Sequence, residues 1–286
     1  MATDTAQQRA SVHSLLGRRQ LSFSLRCLSS LLAHCRDGVE LVLHDDGTLE
    51  ADDWQLLRET LRPAACWPRS EANERIDPLL AKHPRCLAFR RSHVFGPKLF
   101  DGVLGGEDDH FHYADSDILF IRPFQGLFRP LEAATGALFM RDRQNAYALR
   151  PWQLLPPKAL RVPGYINSGI VVFQRNHFDL DFIEWALSRL DARYALTWHE
   201  QTIWALLAGR VGCRVLDPEQ FVIPTPSAAI SLRAIGLHWV SSIRQGLTTF
   251  SEPSFHSVPI DVRSAPSDRC GARQLVGDGL SRHFAS

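Results

Sequence analysis

The sequence has no long apolar run, no excess of one charge, no closely paired cysteines and no internal repeat. Each absence removes a class of protein. No stretch approaches the roughly 18 to 20 apolar residues that cross a bilayer as a helix, so no transmembrane segment is expected. Thirty-two basic residues stand against thirty-one acidic ones. That balance leaves no field for gripping nucleic acid or an anionic membrane non-specifically, so no nucleic-acid partner is expected. Six cysteines (27, 35, 66, 86, 213 and 270) are scattered without a Cys-x-x-Cys pair. This argues against a zinc site or a disulfide framework and fits a reducing compartment. The first residues lack the charged-then-apolar order of a secretory signal. Residues 6 to 36 carry five arginines and no acid, a faint likeness to an organelle transit peptide. An amphipathic helix accounts for the apolar spacing there, and the expected location is cytoplasmic.

What is present is a globular composition: 286 residues, 45% hydrophobic and 22% charged. A chain of this length can bury a sizeable core, and one large domain is favoured. Val12 to Leu16 reads as a short strand ended by Gly17. Leu21, Leu25, Leu28, Leu31, Leu32 and Cys35 recur at helical spacing, Asp37-Gly38 turns the chain, and Val39 to His44 reads as a strand. Strand, helix, strand points to a parallel sheet wound with helices. Ala51 to Leu61 reads as a helix and Cys86 to Phe89 as a short strand. Leu131 to Met140 reads as a helix running into a strand, and Phe178 to Arg193 and Trp198 to Leu207 read as helices. Val211 to Leu216, Phe221 to Ile223 and Leu237 to Val240 read as strands. Arg141 to Val162 is a long proline-punctuated loop of the kind that serves as a lid or binding loop. From about Phe250 periodicity fades, and residues 251–286 read as a tail or lid on a domain spanning 1–250.

The organising stretch is Phe111 to Phe124, FHYADSDILFIRPF: a strand, a bend bearing Asp115 and Asp117, and a return into the apolar interior. In extended backbone two residues apart, both carboxylates project to one side. Held that close they repel unless a proton or cation intervenes. A hard divalent ion, Mg²⁺ or Mn²⁺, held by carboxylate oxygens and substrate phosphates, resolves the conflict. Asp-Ser-Asp is also ordinary turn composition, and both readings stand on the tripeptide alone. The rival cluster Glu107, Asp108 and Asp109 reads as a solvated loop.

Further candidates sit at element ends. Asp45 and Asp46 close a strand where ligands of open α/β sheets bind, or form a simple Asp-Gly turn. Lys98 lies in a helix start behind Pro97, where a lysine can reach a phosphate. Asn167, Ser168 and Gly169 open an apolar strand, offering hydroxyl-directed donors and acceptors and a close backbone approach. Glu200 and Gln201 occupy a first helical turn, where an acid also simply complements the dipole. His238 is an imidazole in an apolar strand, a setting shared by core histidines and metal ligands.

In this order the elements resemble the nucleotide-sugar glycosyltransferases of the GT-A fold, especially the glycogenin and lipopolysaccharide galactosyltransferase group, over roughly residues 12 to 245. The resemblance implies one Rossmann-type α/β domain, its mostly parallel central sheet flanked by helices, with a small antiparallel addition. It implies that Asp115 and Asp117 bind the divalent ion (Mn²⁺ or Mg²⁺) and the donor's diphosphate and ribose, with His238 completing the metal site. It places Asn167, Ser168 and Gly169, with Glu200 and Gln201, around donor sugar and acceptor. Asp45 and Asp46 fall near the nucleobase, and Lys98 near the donor. The chain departs from the pattern in carrying His110 and His112 before the bend. It also has Trp-Val-Ser-Ser-Ile-Arg after His238, where relatives place a glycine and then a diphosphate-binding lysine; Arg244 is the substitute at a different spacing. The implied reaction moves a sugar from a nucleotide-diphosphate sugar to the hydroxyl of a glycan, lipid-linked or small-molecule acceptor. Glu200 is the candidate base if configuration inverts. If it is retained, the leaving phosphate activates the acceptor and Gln201 lines the sugar. A metal-dependent phosphoesterase or nucleotide hydrolase, and a catalytically silent binding protein of the same fold, are the alternatives.

Overall fold

The computed structural model describes residues 9–132, 134–155, 160–191, 196–225, 230–240, 243–251 and 258–275. The polar opening residues, Pro156 and Pro157 of the long loop and much of the expected tail lie outside them. The first half alternates as the periodicity predicts. Strand β1 (Ala10–Leu16) leads to helix α1 (Leu21–His34), β2 (Val39–Asp45), α2 (Ala51–Leu61), β3 (Ala65–Trp67) and α3 (Arg69–Ile76). Helix α2 starts where the Glu50 N–H donates to Asp53 Oδ2 at 2.9 Å and stops at Arg62, whose φ of +47° no helix continues. Helices α4 (Pro84–Ser92) and α5 (Gly96–Gly105) follow, then β4 (His110–Ala114), β5 (Ile118–Phe120) and β6 (Phe124–Gln125). The second half comprises β7 (Ala137–Arg141), β8 (Ile166–Gln174), α6 (Leu180–Leu187), α7 (His199–Val211), β9 (Cys213–Leu216), β10 (Phe221–Val222), β11 (Gly236–His238), α8 (Gly246–Thr249), β12 (Ile260–Asp261) and β13 (Ser264–Pro266).

Eight strands form one sheet in the order β13-β9-β7-β8-β4-β1-β2-β3. The β1–β2, β1–β4, β2–β3 and β7–β9 pairings are parallel, whereas β8 runs antiparallel to both its neighbours and β13 antiparallel to β9. Alternate side chains sort to two cores. Val42, Phe111, Tyr113, Phe139, Val171 and Phe173 pack toward α5–α7 around the fully buried Trp204. Val12, Leu41, Leu43, Leu138 and Val172 pack toward α1 and α2. The small addition is a mixed sheet of β10, β11 and β5: β10 and β11 are parallel, contrary to an all-antiparallel expectation, whereas β11 runs antiparallel to β5 and sets His238 opposite Ile118.

Four local readings need correction. Cys86 to Phe89 belongs to helix α4, because Pro84 is preset for its first turn and an apolar run of four fits either structure. The segment before Ala137 is not helical among its described residues. Helix α6 is shorter than its apolar pattern, starting where Asp179 accepts the Phe182 N–H at 2.9 Å and ending at Leu187. Asp115 to Asp117 form a tight turn, with Ile118 N–H donating to Asp115 O at 3.3 Å, so their carboxylates converge through the bend rather than along an extended chain. Beyond Phe250, the expected tail or lid supplies β12, paired with β6, and the sheet-edge strand β13.

Helix α5 is buried at every position from Gly96 to Val103. Its polar Asp101 is held by the fully buried Arg90, whose Nε and second guanidinium nitrogen reach the two carboxylate oxygens at 2.6 and 3.0 Å. Arg90 also donates to Asn73 at 2.8 Å and Asp77 at 2.7 Å. The helix is thereby fixed from both ends, since its other buried ion, Lys98, points at the bend.

Candidate active site

All parallel strands of the central half end at one edge, and the polar residues collect there. β4 delivers Asp115, whose backbone N–H donates to Gly169 O at 2.7 Å. β1 pins the bend from the other side: Ser116 Oγ donates to Leu15 O at 3.1 Å, and Tyr113 Oη accepts Leu15 N–H at 3.3 Å while donating to Asp115 Oδ1 at 3.0 Å. Because β11 pairs with β5, His238 arrives beside the bend, and Trp239 N–H donates to Asp117 O at 3.0 Å.

His238 Nε2 then lies 3.1 Å from Asp117 Oδ1 and 3.5 Å from Asp115 Oδ2. One ligand atom from each of the three residues falls within 4.8 Å of the others. Asp117 Oδ1 is buried and, despite its nearness to His238, has no hydrogen bond of proper geometry. Two carboxylates and an imidazole with an unmatched buried oxygen between them are a donor set suited to Mn²⁺ or Mg²⁺. Gly169 makes room for it: a Cβ there would stand 2.4 Å from His238 Cε1 and 2.8 Å from Asn167 Oδ1.

Cationic side chains balance the carboxylates. Lys98 Nζ, almost wholly buried, sits 3.0 and 3.1 Å from the Asp115 oxygens, donates to Ser168 Oγ at 3.3 Å and lies 3.7 Å from Glu200 Oε2. Arg244 donates to Asp117 Oδ2 and, at 3.3 Å, to Trp239 O. Burial raises the Asp115 carboxyl, but Lys98 and His238 outweigh it and hold the group at about 2. Burial lowers the His238 imidazole, and Asp117 and Asp115 overcome this to carry it up to about 9. Burial pushes the Glu200 carboxyl up to about 7 against the opposing pull of Lys98. Lys98 itself is raised, its burial outweighed by Asp115 and Glu200.

The strand opening Asn167–Gly169 forms the floor. Ser168 Oγ donates to Glu200 Oε2 at 2.8 Å, and Ser168 N–H donates to Gln201 Oε1 at 3.2 Å. Gln201 Nε2 donates to Ala146 O at 3.1 Å. Asn167 Nδ2 donates to Asp142 Oδ2 at 3.0 Å. Asp142 was not among the sequence candidates; an Asp closing an apolar strand between two arginines was the available signal. Burial raises its carboxyl, opposed by the Asn167 hydrogen bond.

The structure thus brings together Lys98, Asp115, Asp117, Asn167, Ser168, Gly169, Glu200, Gln201 and His238 with Arg244, and adds Asp142. Asp45 and Asp46 lie apart from this cluster, at the end of β2. One Asp45 oxygen accepts the Gly47, Thr48 and Leu49 N–H groups at 2.7, 3.1 and 3.2 Å, an arrangement that shapes the loop. Asp46 is exposed and accepts from Thr48. Its carboxylate lies over Gly17, where a Cβ would come within 2.0 Å.

No protein-family model matches the sequence, and no curated protein matches it. Solved structures do. Mouse xyloside xylosyltransferase 1, in its apo form, superposes with a TM-score of 0.54 at 11% identity over 81% of this chain and 97% of that one. The galactosyltransferase LgtC, in complex with donor and acceptor sugar analogues, gives 0.52 at 13% identity over 81% and 87%. The bifunctional glycosyltransferase WbbM gives 0.52 at 11% identity over 83% of this chain and 47% of its own. Identities this low speak to fold, and the fold this chain adopts is the GT-A fold of the glycosyltransferases.

Proposed function

We propose that the protein transfers a sugar from a nucleoside diphosphate sugar to a hydroxyl acceptor, with Asp115, Asp117 and His238 holding Mn²⁺ or Mg²⁺. The carrying observation is the convergence of these three side chains, from the β4–β5 turn and from β11, above the Asn167–Gly169 floor. Fold alone never fixes chemistry; the donor set at the sheet's carboxyl edge is what favours this reading. The ion would supply Lewis-acid stabilisation of the negative charge that gathers on the departing diphosphate.

The chain's own residues do the rest. Lys98 keeps Asp115 ionised and its own charge close to the phosphates. Arg244 donates to Asp117 and takes the part of a diphosphate clamp when the nucleotide enters. Asp142 and Asn167 present a paired carboxylate and amide to sugar hydroxyls. Glu200 is buried behind Ser168 with Lys98 beside it, so we assign it to positioning these two rather than to taking the acceptor's proton. Gln201 spans Ser168 and Ala146 and fixes the floor against the long loop. Among the described carboxylates of the cluster, Asp115 and Asp117 belong to the cation site, Asp142 holds Asn167 and Glu200 holds Ser168 beside Lys98, so activation of the acceptor by the leaving phosphate, and with it retention of configuration, is the reading we favour.

The test is a thermal-shift screen of nucleoside diphosphates and nucleotide sugars with and without Mn²⁺, wild type beside Asp117→Asn. A ligand at about a hundred times its dissociation constant adds roughly 2.7 kcal/mol, which is about 4 °C for a chain of this size. A metal-dependent shift with one nucleotide, lost in the variant, is expected. Phosphate release from simple esters without an acceptor would favour the hydrolase. Binding that ignores both metal and the Asp117 change would favour the silent binding protein.

A further inference from the structure

Away from the cation site, the face formed by α6, α7 and the turn Pro151–Leu154 repeats one device three times. An arginine lies over an aromatic ring: Arg210 over Phe182 at 4.2 Å, Arg189 over Trp185 at 5.6 Å and Arg150 over Trp152 at 5.9 Å. Phe182 and Trp185 stack at 5.4 Å. With Arg189, just past the end of α6, they make one continuous ridge. Two clefts border it. One, about 450 Å³, has Leu160, Phe182 and Leu206 within and Arg161 and Arg210 among its lining. The other, about 310 Å³, is lined by Arg150, Trp152, Arg189 and Asp191. The two are joined where Leu160 N–H donates to Gln153 O at 2.9 Å and Gln153 Nε2 to Arg189 O at 3.2 Å.

This face is both greasy and positive. Trp152, Leu155 and Trp185 are 65%, 51% and 40% exposed. Four arginines there meet two aspartates, Asp191 on Arg150 and Asp179 on Arg210. Of the other acids of α6, Glu184 is taken by Arg85 and Asp181 lies 3.0 Å from His83 Nε2, so Arg161 and Arg189 leave the face positive even with the Asp181 charge counted against them. A near-neutral chain therefore carries a local positive field that its overall charge conceals. Indole rings settle at the headgroup level of a bilayer, while guanidinium groups fork onto phosphate oxygens. An exposed leucine beside them gains from acyl chains, an apolar contact that the hydroxyls of a sugar or the carboxylates of a peptide do not supply.

We propose that this face docks the protein on an anionic phospholipid bilayer. No helix among the described residues is long and apolar enough to cross a membrane, so the attachment is interfacial. The same segment reaches the candidate active site, since Ala146 accepts from Gln201 at 3.1 Å and Ala148 N–H donates to Thr202 Oγ1 at 2.8 Å. The docking does not depend on the transferase reading.

The experiment is vesicle flotation of the full chain with phosphatidylcholine alone and with added phosphatidylglycerol, at low and high salt. The wild type is compared with Arg161→Gln/Arg189→Gln and Trp152→Ala/Trp185→Ala, all checked by thermal melts. Each basic residue near an anionic surface is worth about fivefold in partition, so the arginine pair should cost about 25-fold, and less at high salt. The tryptophan pair should weaken binding at both salts. A wild type that stays unbound with phosphatidylglycerol vesicles overturns the proposal, as does binding unchanged in both variants. So does arginine-dependent binding of soluble dextran sulfate without flotation, which would mark a polyanion site. Should the tryptophan variant melt early, the arginine variant, altered only at exposed side chains, still decides.

Discussion

Replacing Lys98 with methionine tests the electrostatic logic of the site directly. The ammonium lies 3.0 Å from Asp115 and 3.7 Å from Glu200, and all three side chains are largely shielded from water. Methionine fills similar volume but leaves two carboxylates without their cation. Breaking a buried ion pair by removing one partner costs about 3–5 kcal/mol. With an unfolding entropy near 0.6 kcal/mol/K for this length, the melting temperature should fall by about 5–8 °C. The loss should depend on pH. Glu200, raised to about 7 from an ordinary 4.5, holds a proton below that value. At pH 6 it is neutral and misses Lys98 little, whereas at pH 8 it must be ionised or take up a proton at a cost, so the deficit is larger at pH 8. The double variant Lys98→Met/Glu200→Gln removes charge from both sides and should recover at least about 1 kcal/mol relative to additivity. Thermal melts and urea titrations of the four proteins, metal-free, at pH 6 and 8 give the cycle. A single variant within about 0.5 kcal/mol of wild type, or additive losses, would refute the view that Lys98 is held by these two carboxylates.

Three further outcomes follow from the same geometry. Gly169→Ala places a methyl group 2.4 Å from His238 Cε1; the Mn²⁺-dependent nucleotide shift should vanish at a stability cost of about 1–3 kcal/mol, while Gly164→Ala, whose nearest neighbour is 3.4 Å away, should keep it. His238 is raised from 6.5 to about 9, so in the metal-free protein its pairing stabilises fully below about pH 6.5 and is lost as pH rises through about 9. A metal ion must displace that proton, and Mn²⁺ affinity measured by calorimetry should rise by up to about tenfold per unit across this window with proton release; a flat profile would contradict the ligand assignment. Arg244→Ala frees Asp117 Oδ2 and should tighten Mn²⁺ binding several-fold without nucleotide while weakening nucleoside diphosphate binding; equal effects on both titrations would deny Arg244 a clamp role.

The parts of this fold that were legible in the sequence are those written in local pattern. The α1 stripe, the β2 run and the apolar strand into Asp115 each carry a period that sidedness of burial imposes. Cys86 to Phe89 was misread because four apolar residues satisfy helix and strand alike, and the proline that decides the matter lies outside the run. The site was legible as a set of residue types but not as an arrangement. His238 joins the aspartates only because β11 pairs with β5, a contact across more than a hundred residues with no local trace. The sequence placed Lys98 where a lysine can reach a phosphate, without showing what else holds it. In the fold it is a buried counter-ion of Asp115, because α5 is buried from Gly96 to Val103 and its first turn faces the bend. For Asp45 the sequence left ligand group and simple turn open; one of its oxygens accepts three backbone amides of its own loop, as the turn requires.

The strand Ser264–Pro266 has a consequence for handling the protein. It lies on the outer side of Cys213–Leu216, at one margin of the eight-stranded sheet. Without it, β9 would offer a row of open amides and carbonyls to any extended chain in solution. Pro266, with no N–H to donate, also blunts the newly formed rim. A protein shortened after Phe250 should therefore keep its cation-binding side chains yet self-associate with concentration, and light scattering of the shortened chain would show it.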